Sequence, residues 1–266
     1  IYQYTDRAVV NIGFAGIISV LTGFNGHGLF LAHFNAAPYS AYRGSYRVPE
    51  GVRTSLFDLR KTLETATSTR QAARYLTGHV YGFSHNILMA DKKTIKVLEY
   101  PQGGTARVRN WKSPTRPDKP WGHELQIAVV DCHVLATMPN NCRDVKDSFR
   151  WNRLSELARF SASQTANAEA VSNILFDTAK NRYEIFSPQT LQSIVYLPAS
   201  GRLYLYVTPI NGTHPASPVH QVYLDLLPPE LRNREDKTSF DRVWLAWLLL
   251  LIMLSCVLWM SRAKGL

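Results

Sequence analysis

One short segment limits the fold of this chain more than any other: residues 14–35 read FAGIISVLTGFNGHGLFLAHFN. Two apolar runs flank the sequence Asn-Gly-His-Gly at residues 25–28. Glycine and asparagine adopt the positive φ angles that tight turns need, and apolar runs on both sides of such a turn are typical of paired strands. The segment therefore predicts an antiparallel hairpin, with strands at residues 17–22 and 29–34.

The rest of the chain alternates between strand and helix patterns. Residues 54–76 have two amphipathic helical patterns, and residues 147–160 and 166–178 have two more. Strand patterns or extended chain occupy residues 8–14, 84–90, 94–100, 105–111, 125–131, 190–197, 202–208 and 220–226. This order predicts an α+β fold in which helices cover sheet layers, rather than a doubly wound parallel sheet.

The charge of the chain bears on its partners. The 266 residues carry a formal net charge of +10, and 45% of them are hydrophobic, as in a globular protein with a substantial core. A positive charge favours anionic partners such as lipid headgroups or acidic substrates. The basic residues are scattered, with no dense Lys/Arg stripe and no zinc-finger spacing, so nucleic acid is not expected among the partners.

A segment near the C-terminus predicts a membrane span. Residues 243–260 read VWLAWLLLLIMLSCVLWM and contain no charged residue over 18 positions. At a rise of 1.5 Å per residue this is about the minimum length for crossing a hydrocarbon core, and tryptophans near both ends are typical of interfacial belts. A buried core helix is the alternative, although the segment has no polar face to turn to water.

The span divides the chain into a globular domain (residues 1–228), a polar stalk (229–242), the transmembrane helix (243–260) and a short tail (261–266). Two basic residues follow the span, and four basic residues before it are balanced by four acidic ones. Acidic residues count little in the positive-inside rule, so these flanks do not separate cleanly. We expect the tail in the cytoplasm and the globular domain outside it, in a periplasmic or luminal compartment.

The cysteines leave two alternatives open. Cys132 and Cys142 are separated by nine residues, which allows a local disulfide in an oxidising compartment, and two free buried thiols are an equal alternative. The histidines show no HxxxH or HExxH spacing, and there is no phosphate loop or dinucleotide fingerprint. No metal or cofactor is therefore expected.

Four motifs follow one another in an order that resembles a known group of enzymes. They read FAGIISVLTGFNGHGLFLAHFN, NILMADKKTIKVLEY, VVDCH followed by DSFRWNRLSEL, and TLQSIVYLPASGRLYLYV. Together they resemble the N-terminal-nucleophile hydrolases of the acyl-CoA:6-aminopenicillanate acyltransferase, acid ceramidase and bile-salt hydrolase group. The resemblance covers residues 7–208.

The resemblance implies a four-layer αββα sandwich and cleavage or transfer at an amide carbonyl. In such enzymes a precursor cuts itself to expose a cysteine as its first residue, and the α-amine of that cysteine acts as its base. The hairpin normally follows this cysteine by a few dozen residues. We therefore expect the nucleophile, with an Arg…Asp motif just after it, upstream of Ile1, so that the 266-residue chain by itself lacks it.

The resemblance assigns roles to three residues of the first and third motifs. Asn35 matches an asparagine that donates to the oxyanion, and an asparagine that simply ends a strand is the alternative. Cys132 stands where the group has a second asparagine, in a segment similar to Val-Val-Thr-Asn-His, and His133 matches the histidine beside it. A thiol is a weaker donor than an amide, so either the site is altered or Asp131 or a neighbour compensates.

A fourth candidate, Arg150, matches an arginine at a helix start that helps to organise the catalytic cysteine. A guanidinium near the first turn of a helix gains nothing from the helix dipole, which favours a role in holding a carboxylate or the surroundings of the nucleophile. A solvated arginine is the alternative, and Arg153 is a further candidate. A nucleophile–base pair of Cys132 and His133 is disfavoured, because adjacent strand residues point to opposite faces.

These observations lead to competing functions. The first is a membrane-anchored amide hydrolase or N-acyltransferase that acts on an acyl-amide or acyl-thioester substrate beside the lipid bilayer, with its own cleaved N-terminal segment as a further partner. The second is a catalytically inactive, membrane-tethered binding domain that keeps the fold. A third interpretation uses the positive charge to dock on anionic headgroups. We expect the first function for the full-length protein.

Overall fold

The computed structural model describes residues 2–3, 8–14, 16–36, 50–142, 145–161, 168–178, 185–187 and 190–207. Within these ranges the strands are β1 (Tyr2–Gln3), β2 (Ala8–Ile12), β3 (Thr22–Asn25), β4 (Phe30–Asn35), β5 (His85–Ala90), β6 (Ile95–Tyr100), β7 (Arg107–Arg109), β8 (Gln192–Leu197) and β9 (Arg202–Val207). The helices are α1 (Ser55–Thr65), α2 (Thr69–Thr77), α3 (Val145–Ser161) and α4 (Ala168–Leu175). The prediction of an α+β fold is confirmed.

The first seven strands form one antiparallel sheet in chain order. The centre of this sheet is the pair β4–β5, which runs from Phe30 opposite Ala90 to Asn35 opposite His85. These two strands are neighbours although α1 and α2 lie between them in sequence. Strands β8 and β9 form a separate antiparallel hairpin.

The hairpin predicted at the start of the chain is present as β3 and β4. Asn25 closes its turn, because its Oδ1 accepts hydrogen bonds from the backbone N–H groups of His27 and Leu29, each at 3.1 Å. The Nδ2 of the same side chain donates to the carbonyls of Leu63 at 2.9 Å and Ala66 at 2.8 Å. One buried amide therefore fixes both the turn and the C-terminal end of α1 against it.

The first strand of this hairpin is shorter than predicted. The prediction of a strand at residues 17–22 is wrong except for Thr22, where β3 begins. Gly16 has a φ of 87°, and the backbone N–H of Ile17 donates to the carbonyl of Phe14 at 3.1 Å. A glycine in the left-handed region turns the chain here, so an apolar run that reads as a strand forms a loop.

The segment predicted as extended chain at residues 125–131 belongs to neither sheet. Residues 125–131 form no strand and make only an isolated bridge between Val130 and Cys132. Leu125, the first residue of this segment, has a φ of 59°, in the left-handed region, so extended chain begins only after it. The segment is nevertheless buried at residues 127–130. Ile127 and Val129 belong to the core between the sheets, and Ala128 and Val130 belong to the core beneath α3 and α4.

Three buried clusters define the stacking of the layers. Helices α1 and α2 cover one face of the seven-stranded sheet, with a core that includes Leu31, Leu59, Leu63, Leu76 and Ile87. The other face packs on the β8–β9 hairpin through a core that includes Phe30, Leu88, Val97, Ile194 and Leu203. Helices α3 and α4 pack on the far face of that hairpin through a core that includes Trp151, Leu154, Ile174 and Val195. The layers follow the order α, β, β, α.

Helix α3 has the buried face that its sequence predicts. Trp151, Leu154 and Ala158 are all less than 5% exposed. Arg153, on the same helix, makes a two-pronged ion pair with Asp177, at 2.9 Å from Nε to Oδ2 and 2.5 Å from the second nitrogen to Oδ1. Arg153 therefore ties α3 to the chain that follows α4, and it is not a residue of the pocket described below.

Residues 208–266 lie outside the described residues. The strand predicted at residues 220–226 and the domain boundaries at residues 228, 242 and 260 stay predictions. Among the helices that the structure describes, none is long and apolar enough to cross a bilayer.

The packing between the sheets predicts unequal effects along β9. Leu203→Ala removes a side chain that is fully buried between the sheets, and we expect the free energy of unfolding to fall by about 2–5 kcal/mol in urea denaturation. Val207→Ala, on the same strand but 54% exposed, is the control and should change it by less than about 0.5 kcal/mol. Equal losses in the two variants would contradict this packing.

Candidate functional site

A small pocket opens beside the ends of the two sheets and α3. Its apolar walls are Phe34, Val129, Val130, Leu154 and Ile185, and its two charged residues are Asp131 and Arg150. The space that a water-sized molecule can occupy inside it is about 20 Å³, which is room for about one water molecule. An apolar pocket with a few convergent polar groups is the arrangement expected of a ligand site.

The charged residues of the pocket form a loose ion pair. A guanidinium nitrogen of Arg150 lies 3.9 Å from Oδ2 of Asp131, and the two side chains are 20% and 33% exposed. The Nε of Arg150 is buried and has no hydrogen-bond partner among the described residues. Because a guanidinium carries five N–H donors, Arg150 has donors to offer a carbonyl or anionic oxygen in the pocket.

Asn35 lies beside the pocket rather than in its lining. It is the last residue of β4 and is exposed. Phe34, which precedes it, lines the pocket. Successive side chains of a strand point to opposite faces. The Asn35 side chain therefore lies on the face of the sheet that α1 and α2 cover, opposite to Phe34. Its role as an oxyanion donor stays a prediction.

Cys132 is bonded to Cys142, with the two Cα atoms 5.0 Å apart. Of the two alternatives that the sequence leaves open, the structure therefore has the disulfide. A half-cystine carries no S–H group, so position 132 has no thiol donor. Cys132 does not line the pocket, whereas Asp131, which the sequence offers as an alternative to it, does.

His133 is fully buried behind the pocket, and its hydrogen bonds hold the segment 128–135 in place. Its Nδ1 lies 2.9 Å from Oδ1 of Asn86, and its backbone N–H donates to Oδ1 of Asn141 at 2.7 Å. Burial lowers the pKa of His133 to about 4, while the nearby Glu99 carboxylate opposes this shift. The imidazole is therefore neutral at pH 7, and its Nδ1–H donates to Asn86.

A buried ion pair holds the same segment from the other side. Nε of Arg109 lies 2.6 Å from Oε1 of Glu99, and both side chains are at most 2% exposed. Oε2 of Glu99 accepts the backbone N–H groups of Val134 and Leu135, each at 3.1 Å. Arg109 also donates to the carbonyl of Ala128 at 2.5 Å. The pair thus joins both ends of the segment 128–135 to β6 and β7.

Sequence reasoning missed Asn86, Glu99 and Arg109. In register, Asn86 lies opposite Phe34 on β4 and opposite Glu99 on β6, so these three side chains form a row on the face between the sheets. The signal was present in the strands HNILMA and IKVLEY, where a single amide or carboxylate occupies an inward position of an otherwise apolar run. Buried polar groups of this kind need partners from elsewhere in the fold.

A second group of rings, half-buried at His33 and buried at His85 and Tyr100, lies on the opposite face of the central strands. The imidazoles of His33 and His85 stack with their centroids 5.1 Å apart, and His85 also stacks on Tyr100 at 5.1 Å. Burial lowers the pKa of His33 to about 4. Burial, followed by the charge of His33, lowers the pKa of His85 well below its ordinary value. Among the residues that the structure describes, no three potential metal ligands come together.

Comparison with known proteins gives structural matches only. No protein-family model matches the chain, and no curated protein matches it in sequence. The Caenorhabditis elegans N-acylethanolamine-hydrolyzing acid amidase ortholog matches over 76% of this chain and 87% of its own, with 17% identity and a TM-score of 0.51. The chain has the fold of the N-terminal-nucleophile hydrolases. This confirms the resemblance of the four motifs, and at 17% identity the likeness concerns the fold alone.

Two further structures, both variants of the conjugated bile acid hydrolase from Clostridium perfringens, match over 77% of this chain. They match over 78% and 75% of their own chains, with 14% and 15% identity and TM-scores of 0.48 and 0.49. Because these TM-scores are below 0.5, the assignment to the N-terminal-nucleophile fold rests on the amidase ortholog and on the layers described above.

The disulfide predicts a loss of stability on reduction. In the double variant Cys132→Ser, Cys142→Ser we expect the free energy of unfolding to fall by about 2–4 kcal/mol, because a cross-link of the unfolded chain is lost. Urea denaturation with and without dithiothreitol measures the effect. Dithiothreitol should destabilise the wild type by a similar amount and leave the double variant unchanged, and an unaffected wild type would contradict the prediction.

The lowered pKa values of His133 and His33 predict that acid destabilises the fold. An unfolded chain binds protons on histidine below about pH 6.5, whereas His133 and His33 in the folded chain do so only near pH 4. The free energy of unfolding should therefore fall as the pH falls from 6.5 to 4. His133→Gln removes one of these sites, so its Tm should fall less between pH 7.5 and 4.5 than that of the wild type. Identical pH slopes would count against the assignment.

Proposed function

We propose that the full-length protein is an amide (C–N) hydrolase, or an N-acyltransferase that uses the same acyl-enzyme step. Its nucleophile is an N-terminal cysteine upstream of Ile1, exposed by self-cleavage. The observation that carries this proposal is the pocket of an N-terminal-nucleophile fold in which Arg150 and Asp131 meet apolar walls. The pocket has room for about one water molecule, so it receives the carbonyl oxygen of the amide, and the rest of the substrate lies outside it.

The chemistry follows from this arrangement. The cysteine sulfur attacks the carbonyl carbon as its α-amine takes the thiol proton, and the carbonyl oxygen becomes an oxyanion. The C–N bond then breaks, the leaving amine takes up the proton, and a thioester remains. Water releases the acid in hydrolysis, whereas a second amine takes the acyl group in transfer. Arg150 supplies N–H donors to the oxyanion or to the nucleophile, and Asn35 is a further donor.

The likeness to the amidase supports the substrate class. The Caenorhabditis elegans protein is named for the hydrolysis of N-acylethanolamines, which are acyl amides. The apolar side chains of Val129, Leu154 and Ile185 suit contact with the first carbons of the acyl group at the mouth of the pocket. We therefore propose an acylated amine as the substrate, with a hydrocarbon acyl group.

Two features support a membrane-anchored enzyme outside the cytoplasm. The uncharged segment at residues 243–260 is long enough to anchor the chain next to lipid, where fatty-acyl substrates are concentrated. The disulfide between Cys132 and Cys142 supports an extracytoplasmic location, because disulfides persist in oxidising compartments.

A catalytically inactive binding domain is the second candidate. The half-cystine at position 132 favours it, since the resemblance assigns an asparagine amide to that position and a disulfide sulfur cannot donate. The domain would then hold an acyl compound in the same pocket without breaking it.

Processing of the complete reading frame separates the two candidates. We expect N-terminal sequencing and intact mass to give a mature chain that begins with cysteine upstream of Ile1, and the mature protein to hydrolyse N-palmitoylethanolamine. An uncut chain that binds palmitate but hydrolyses no acyl amide would contradict the enzyme proposal and support the binding domain.

Substitution of the pocket arginine tests the site. Arg150→Leu should lower kcat by about 10²–10³-fold, the effect of losing one oxyanion donor. Arg153→Leu is the matched control, because Arg153 lies on the same helix but pairs with Asp177 away from the pocket. It should keep kcat within about threefold of the wild type. Equal losses in both variants would show that the arginines act through the stability of α3 and not through the site.

A further inference from the structure

We propose that Asn86 is a positioning residue that sets the place of the Asp131 carboxylate in the pocket. The inference rests on the proposed function, because the pocket is the site to which that function assigns the chemistry. In this place the Asp131 carboxylate neutralises the charge of Arg150, so that the site prefers neutral acyl amides to anionic ones. Asn86 itself does not line the pocket.

The geometry places Asn86 against the backbone on both sides of Asp131. Asn86 is fully buried on β5, and its Nδ2 donates to the carbonyl of Val130 at 3.0 Å and to the carbonyl of Cys132 at 2.9 Å. One planar NH₂ group therefore holds the carbonyls immediately before and after Asp131. The cross-strand partner of Asn86 is Phe34, which also lines the pocket.

The remaining oxygen of the amide is also used. Oδ1 of Asn86 accepts from Nδ1 of His133, whose own backbone N–H is held by Asn141. The disulfide to Cys142 closes the loop that contains both residues. These partners fix the Asn86 side chain, and its two donated hydrogen bonds in turn fix the backbone on both sides of Asp131.

The position of Asp131 matters because its contact with Arg150 is long. At 3.9 Å the pair lies at the outer limit of an ion pair, and a small shift of the backbone weakens it. When Asp131 is in place, Arg150 offers donors from a site of low net charge, which suits a neutral amide. When Asp131 is displaced, the positive charge of Arg150 is uncompensated and favours a substrate with an anionic headgroup.

Asn25 provides a matched control for the loss of stability that follows removal of a buried asparagine side chain. It is also buried, and its Nδ2 also donates to two backbone carbonyls, those of Leu63 and Ala66. It fixes the β3–β4 turn to α1 and does not reach the pocket. The variants Asn86→Leu and Asn25→Leu therefore each remove two hydrogen bonds from a side-chain amide to backbone carbonyls, and only those of Asn86 adjoin Asp131.

The test is a ratio that a loss of folded protein cannot change. The value of kcat/KM for N-palmitoylglycine, an anionic amide, is divided by that for N-palmitoylethanolamine, a neutral amide, using the mature full-length protein. We expect Asn86→Leu and Asp131→Asn each to raise this ratio about tenfold, a difference of about 1.4 kcal/mol. Asn25→Leu should leave it within about twofold. If Asp131→Asn raises the ratio and Asn86→Leu does not, the positioning role is overturned.

A second readout separates this inference from the proposed function. Hydrogen–deuterium exchange at residues 128–135 should rise in Asn86→Leu and stay unchanged in Asn25→Leu, whether or not the protein hydrolyses either amide. Absence of hydrolysis in the wild type overturns the proposed function, and unchanged exchange in Asn86→Leu overturns the positioning role. If Asn86→Leu does not fold, Asn86→Ser, which keeps one donor, takes its place in both measurements with a smaller expected change.

Discussion

The buried ion pair between Glu99 and Arg109 is the interaction on which the pocket depends. Burial of a carboxylate and a guanidinium is costly unless both are paired and their remaining donors and acceptors are used. Here burial lowers the pKa of Arg109 and the contact with Glu99 opposes that shift. The carboxylate also receives two backbone N–H groups, and the guanidinium holds a carbonyl. These partners are all in the segment 128–135, so the cost of burial is offset only when that segment is docked.

The same segment explains why the pocket lies where it does. An irregular stretch of chain inside a fold must satisfy its backbone groups without a strand ladder. Side chains from β5, β6 and β7 provide the partners, through Asn86, Glu99 and Arg109 respectively. The segment is then free to present Val129, Val130 and Asp131 towards α3, where Arg150 faces them. The pocket is therefore a product of side-chain to backbone hydrogen bonds as much as of apolar packing.

Local patterns predicted much of the fold and less of the site. Helical periodicity and turn residues were sufficient for α1, α2, α3 and the hairpins, because these elements depend on neighbours in sequence. They failed at residues 17–22, where Gly16 in the left-handed region turns the chain and an apolar run that reads as a strand forms a loop. Resemblance pointed to Arg150 and, as an alternative to Cys132, to Asp131. Asn86 acquires its place from contacts across more than forty residues, which no local pattern contains.

The residues of the pocket are far apart in sequence, which affects the order in which the protein folds during synthesis. The seven-stranded sheet with α1 and α2 is complete by Arg109, and its strands pair in the order in which they are synthesised. The pocket, in contrast, needs Phe34, the segment after residue 128, α3 and Ile185 together. Contacts of such long sequence separation form late, because the intervening chain must first be closed into loops. A nascent chain would then carry a folded sheet well before it carried a site able to hold a substrate.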